Sequence, residues 1–234
     1  MNRLRATMWL DVRLQWRNKL YHVTALVAIL AVPIIRYFFD KTMIAGVLPV
    51  YFLGTQGLAY FYAASMVVFE KSERTLEGII VSPLRTHEYL VSKIVTVGGL
   101  VALECLVVAI GAFGMAFQPV WFALGAMGMG AIFAVAGLAY VVRFQDLPSF
   151  LMPSVLIVGV LGLPFIHYFE LWPNPIFYLL PTYPPFLLMA AAFTPQSSAI
   201  VGYGLVGTAV AIALGYRWSR RSFQRYIIEG QGGG

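Results

Sequence analysis

The stretch Glu70–Lys93, EKSERTLEGIIVSPLRTHEYLVSK, gathers side chains able to make charged contacts: four of the ten acids and four of the sixteen Lys and Arg. Leu76, Ile79 and Ile80 share one helical face by i, i+3, i+4 spacing, and Glu73, Arg74 and Glu77 occupy the remainder. The spacing predicts a short amphipathic helix of about two turns. Ser82-Pro83 should end it, because the residue before proline is biased away from the helical region. Thr86 can then cap the next helix, with Glu88 in its positive first turn. The chemistry on offer is recognition. An apolar face seats in a cleft and charges at the rim fix its register. Leu76, Ile79 and Ile80 would be the seat; Glu73, Arg74, Glu77 and Arg85 would be the rim.

Covalent chemistry is not signalled. His22, His87 and His167 lie in three separate regions with no shared ligand spacing, so neither a metal centre nor a Ser-His-Asp arrangement is expected. Cys105 is the one cysteine, which excludes a disulfide framework within the chain and a Cys-rich metal site. Packing is its simplest role. The pattern G-x-x-x-x-G-K-[ST] does not occur, so this sequence does not cradle nucleotide phosphates in that way.

The elements that position Glu70–Lys93 follow from composition. The 234 residues are 60% hydrophobic and 11% charged, with a mean hydropathy of +0.79. Soluble domains run near 25% charged, so a polytopic membrane protein is expected. A bilayer core of roughly 30 Å needs about 20 mostly apolar helical residues. Six runs qualify: Leu20–Phe39, Ile44–Phe69, Tyr89–Phe117, Val120–Val142, Phe150–Phe169 and Ala199–Trp218. The basic N-terminal stretch is too long for a secretory signal, and the apolar run after it shows no small-residue cleavage site.

Orientation follows from Lys and Arg. With both termini inside, six spans place fourteen basic residues on the cytoplasmic side and two, Arg36 and Lys41, outside. The net charge of +6 is then an inner-surface bias toward anionic lipid and needs no nucleic acid. In residues 1–19, Leu4, Met8, Val12, Leu14 and Trp16 fall near helical spacing among five basic residues. They read as an amphipathic helix on the inner membrane surface, with a solvated basic leader as the alternative. Residues 170–197 hold six of the thirteen prolines and no Lys or Arg. They read as two short apolar elements dipping back into the outer leaflet, with a helix beginning at Pro184-Pro185 after Thr182. A proline-rich loop packed on the helices is the alternative.

The wording of the charged stretch resembles that of type-two ABC exporter permeases. Those show an acidic-basic opening, T-L-E, apolar residues, S/T-P, then E-x-L and a lysine. Here the matches are Glu70-Lys71, Thr75-Leu76-Glu77, Ser82-Pro83, Glu88-Tyr89-Leu90 and Lys93. The family usually has glycine before the T-L-E threonine, where this chain has Arg74. The likeness extends over nearly the whole chain and leans toward drug-efflux permeases, including fluoroquinolone exporters.

The resemblance implies an all-α, six-span permease domain over 1–234. Residues 1–19 would be the interfacial helix, 70–88 the coupling loop, 170–197 the outer re-entrant segment and 218–234 the cytoplasmic tail. It would sit in a prokaryotic plasma membrane and pair with a second permease chain, by default an identical one. Two copies of a separate ATPase would bind ATP and Mg and drive export of a hydrophobic or amphipathic drug-like compound. Glu70, Glu73, Arg74, Thr75, Leu76, Glu77, Ile79, Ile80, Ser82, Pro83 and Arg85 would couple to it. The permease itself would not be an enzyme. Competing readings are a permease for lipid, polysaccharide, peptide or immunity export, and a channel-like or assembly protein outside the ABC class.

Glu104 is the acid that falls well inside a span, where a charge costs about 2.5–3.5 kcal/mol on insertion scales. It attracts a cationic substrate, carries a proton or bonds across a dimer; a protonated structural Glu is the equal alternative. Phe52, Gln56 and Tyr60 in the second span could line a pathway with it, or be ordinary aromatic and polar packing. Ala126 and Gly130, and Gly207, Ala211 and Gly215, would permit close helix packing within the chain or across a dimer. Pro153 and Pro164, with Gly159 and Gly162, should kink the fifth span. Arg143-Phe144-Gln145-Asp146 is either a second ATPase contact or a tight turn.

Overall fold

The computed structural model describes residues 3–39, 41–73, 75 and 84–228, with the backbone alone described for 41–50 and 228. The described residues are mostly helical, with no strand among them. The chain runs through α1 (Arg3–Arg17), α2 (Leu20–Phe38), α3 (Lys41–Ser72), α4 (Thr86–Phe113) and α5 (Pro119–Val141). It continues as α6 (Leu147–Gly162), α7 (Pro164–Tyr168), a 3₁₀ turn (Pro175–Leu179), α8 (Tyr183–Ala191) and α9 (Ser198–Phe223), ending in a π turn (Gln224–Ile228).

Among the described residues, six helical segments are long and apolar enough to cross a membrane: α2, the Tyr51–Ser72 part of α3, α4, α5, Leu147–Tyr168 and Ser198–Ile227. The expected six-span, all-α architecture is therefore present. Ile29, Leu30, Leu156, Val206 and Leu214 leave broad apolar faces exposed on α2, α6 and α9. An outer surface of this kind suits hydrocarbon, where only elements that satisfy their own backbone hydrogen bonds are tolerated.

The core centres on α5, most of whose residues from Phe122 to Val141 are buried. Its small residues let backbones meet. Gly98 of α4 crosses Gly130, with Ala131 N 3.2 Å from where a Cβ on Gly98 would sit, and a Cβ on Gly137 would strike the Tyr60 carbonyl of α3. Gly207 packs on Pro184 of α8 and Gly215 on Val135 of α5. The small residues at 130, 207 and 215 thus serve packing within the chain.

Several boundaries differ from the sequence expectation for local reasons. Thr86 is the first helical residue of α4 and not its cap. Arg85 takes the cap position, and Glu88 reaches back to accept from its backbone N at 2.9 Å. The fifth span breaks at Leu163, where Pro164 cannot continue the ladder, and restarts as α7. In the segment 170–197, α8 begins at Tyr183 as the proline pair suggested, and eight of its residues from Tyr183 to Ala191 are buried. Thr182 does not cap α8; its hydroxyl donates to Leu161 O at 2.6 Å, tying α8 to α6.

Between α1 and α2, Lys19 adopts the left-handed region at φ 61°, which turns the chain sharply. The two residues that α1 buries most deeply are polar. Asp11 and Gln15 point inward, while Trp9, Leu10 and Trp16 are exposed.

Candidate functional site

Two constellations stand out, one at the base of the bundle and one on its flank. The basal one is built where α1, the end of α3 and the start of α4 converge. Lys93 lies two turns into α4 and is completely buried. Its Nζ sits 2.6 Å from Glu70 Oε1 and 3.2 Å from Asp11 Oδ1. The remaining carboxylate oxygens are answered too. Tyr89 OH donates to Glu70 Oε2 at 2.5 Å, and Ser92 Oγ donates to Asp11 Oδ2. One helical turn further along each partner, Gln15 Nε2 donates to Thr96 Oγ1 at 2.9 Å.

Burying charge is costly unless each ion is paired and its other hydrogen-bonding positions are filled. This cluster meets both conditions with residues from three helices. It therefore clamps α1 to the two helices that flank the 74–83 segment. Around it, Arg17 forms a two-pronged pair with Glu73 at 3.0 and 3.1 Å, and Thr75 Oγ1 donates to Glu70 O at 3.2 Å. Lys71 Nζ donates to Val142 O at 3.1 Å and Phe144 O at 2.8 Å, so the α5–α6 turn joins the same base. Phe223 packs its ring on Tyr89 at 5.2 Å, and Arg143 lies over the Tyr226 ring at 5.5 Å, bringing in the C-terminal end.

Of the residues expected to contact an ATPase, Glu70 is buried inside this clamp, whereas Glu73 and Arg85 are exposed. Arg74, Leu76, Glu77, Ile79, Ile80, Ser82 and Pro83 lie outside the described residues. Reasoning from sequence did not pick out Asp11 and Ser92 and took Tyr89 and Lys93 only as motif letters. A signal for two of them was present: Asp11 is the single acid before Asp40, and Lys93 is a lysine two turns inside an apolar run.

The flank constellation is a groove of about 540 Å³ between α2 and α4. Its wall is apolar, with Ile29, Val32, Leu103 and Val107 among the lining residues, and Glu104, Thr24 and Tyr21 supply the polar atoms. Glu104 is only 3% exposed, and neither carboxylate oxygen has a hydrogen-bond partner among the described residues. Thr24 Oγ1 donates to Tyr62 OH at 3.3 Å behind the groove.

The four residues considered for a pathway do not converge on this groove. Gln56 Nε2 donates to Ala126 O at 3.1 Å and to Cys105 Sγ at 3.4 Å in the interior. Phe52 meets Phe122 edge-on at 4.9 Å, and Tyr60 stacks on Phe150 at 5.5 Å while its OH donates to Ser154 Oγ at 3.1 Å. All three are packed inside the chain. Of the four, Glu104 alone is among the residues lining the groove, with its carboxylate oxygens buried in the wall, and its neighbour Cys105 is buried in the interior. Among the described residues no His, Cys, Asp and Glu cluster could hold a metal ion.

Comparison with known proteins places this geometry in context. The model of the fluoroquinolones export permease protein family matches residues 2–231. Two relatives, both described as fluoroquinolones export permease proteins, come from Mycobacterium tuberculosis strains CDC 1551 / Oshkosh and ATCC 25618 / H37Rv. Each is 29% identical over 242 residues, which covers 99% of this chain and 99% of the relative.

Proposed function

Because the chain belongs to the fluoroquinolones export permease protein family, we propose that it is the membrane permease subunit of an ATP-driven exporter of fluoroquinolone-like, drug-sized compounds. The observation that carries the mechanical part of this reading is the buried Asp11–Lys93–Glu70 clamp. It binds both flanks of the 74–83 segment to α1, so a force applied to that segment moves α1, α3 and α4 as one body. Such a base suits a subunit that receives motion from a partner.

The partner in this reading is a separate ATPase, present in two copies, which binds ATP and Mg. The segment around Leu76, Ile79 and Ile80 seats in it, with Glu73, Arg74, Glu77 and Arg85 at the rim. Glu70 acts behind them by holding the seat in place. Both termini lie on the cytoplasmic side of a prokaryotic plasma membrane, in keeping with the basic residues at 3–19 and 217–225. The exposed Trp9, Leu10 and Trp16 of α1 then face lipid at the inner surface while Asp11 and Gln15 face the bundle. On the opposite side, the 3₁₀ turn and α8 form the re-entrant segment within 170–197. A second identical permease chain completes the transporter, and Phe52, Gln56, Tyr60 and Glu104 belong to the walls that rearrange during transport.

The test is co-purification of the permease with the ATPase encoded beside it. Leu76→Asp combined with Ile79→Asp should abolish ATPase association and ATP-dependent drug efflux while membrane insertion is retained. Undiminished association in that variant would remove the segment from the coupling role.

A further inference from the structure

Among the described residues, Glu104 is the buried acid with both carboxylate oxygens unpartnered, and it forms part of the wall of the α2–α4 groove. We infer that this groove binds an amphipathic organic amine, its ammonium pairing with Glu104 and its apolar body lying against Ile29, Val32, Leu103 and Val107. The inference rests on the export reading and adds how a substrate is recognised.

Three observations support it. The volume, about 540 Å³, falls within the roughly 300–1,000 Å³ of sites for drug-sized molecules. The lining supplies one acid and no Lys, Arg or His, so the groove offers a partner to a positive charge and no basic side chain to an anion. In an apolar setting an ammonium and a carboxylate attract one another far more strongly than in water, and the arriving cation stabilises the ionised form of Glu104. The rest of the lining suits an aromatic amine. Tyr21 adds a ring to the lining, and Thr24 adds a hydroxyl. The groove lies on the outward side of two spans, so a compound dissolved in the membrane reaches it without crossing the packed core around Gln56 and Tyr60.

The experiment is equilibrium binding to the intact permease in bilayer discs of phosphatidylglycerol, a lipid without an amine. The probes are norfloxacin, which carries a free piperazine amine, and N-acetylnorfloxacin, which lacks that basic centre. Wild type should prefer the amine by roughly tenfold or more, the range of a buried charged hydrogen bond. Glu104→Gln should erase the preference and keep the affinity for the acetylated compound, which also reports that the variant is folded. Leu103→Trp, which fills the groove, should weaken both probes. The inference falls if Glu104→Gln keeps the preference, if wild type binds both probes alike, or if Leu103→Trp leaves both unaffected. ATP-driven norfloxacin export by the assembled transporter separates the two levels. Export that persists alongside any of those results overturns the groove alone. A wild type that neither binds nor exports either probe overturns the export reading with it.

Discussion

Lys93 Nζ lies 2.6 Å from Glu70 Oε1, so two residues that bracket the 74–83 segment meet in the interior of the protein. Asp11 of α1 completes the contact from the other side at 3.2 Å. The N-terminal helix is thereby fastened to the base of two spans through side chains and not through the membrane alone.

Lys93→Met should leave Asp11 and Glu70 buried without their cation. Removing one partner of a buried ion pair costs about 3–5 kcal/mol, since the remaining charge has no water to return to. The thermal midpoint of the solubilised chain should fall steeply, and α1 should become more open to proteolysis. Adding Asp11→Asn and Glu70→Gln should recover part of the loss, because the uncompensated charges go with the lysine. An unchanged midpoint in Lys93→Met would show that the clamp carries no stability.

The pair between Arg17 and Glu73 links the same helices, but both side chains are at least half exposed. Exposed pairs contribute about 0–1 kcal/mol and weaken as salt is added. Glu73→Gln should therefore shift the midpoint little, and less still at high salt. A loss rivalling that of Lys93→Met would mean that Glu73 holds the base together from the surface.

The contrast between these pairs explains what was legible in the sequence. Hydropathy revealed six spans because each helix must satisfy its own backbone in hydrocarbon, and that demand is written in nearly every residue of α2, α4 and α5. The helix at Tyr183–Ala191 was legible for a similar reason, since Pro184 and Pro185 suit a helix start. The clamp was not, because charge normally reads as surface. Asp11 among arginines looks like part of a solvated face, and only the meeting of α1 with α4, 81 and 82 residues apart in the chain, turns it inward. On α1, Leu4, Met8, Val12 and Leu14 are half-buried, whereas Trp16 belongs to the outer side because Asp11 and Gln15 have partners within. Glu104 was legible as an exception, but not the groove beside it, which depends on how α2 leans on α4.

Close helix packing gives a paired test. A Cβ on Gly137 would strike the Tyr60 carbonyl, whereas one on Gly159 meets nothing within 4 Å. Gly137→Ala should force α3 and α5 apart and cost about 1–3 kcal/mol, as overpacking does. Gly159→Ala should be neutral or stabilise by about 0.4–1 kcal/mol through the unfolded chain. Equal effects at the two positions, read from thermal midpoints, would contradict the crossing at Tyr60.

The turn that Lys71 holds against α3 has its own pH dependence. Asp146 caps α6, accepting from Ser149 N at 2.9 Å and Ser149 Oγ at 3.0 Å. These bonds, the backbone one foremost, hold its carboxyl below the usual range. A group whose pKa is depressed by folding adds stability that is fully present above its unfolded value, about 3.9, and is lost as pH falls through the folded value. The wild-type midpoint should therefore decline on acidification below about pH 4 by more than that of Asp146→Ala, which has no carboxylate to protonate at the cap. Parallel pH profiles for the two proteins would mean that the Asp146–Ser149 bonds do not form in the membrane-embedded chain.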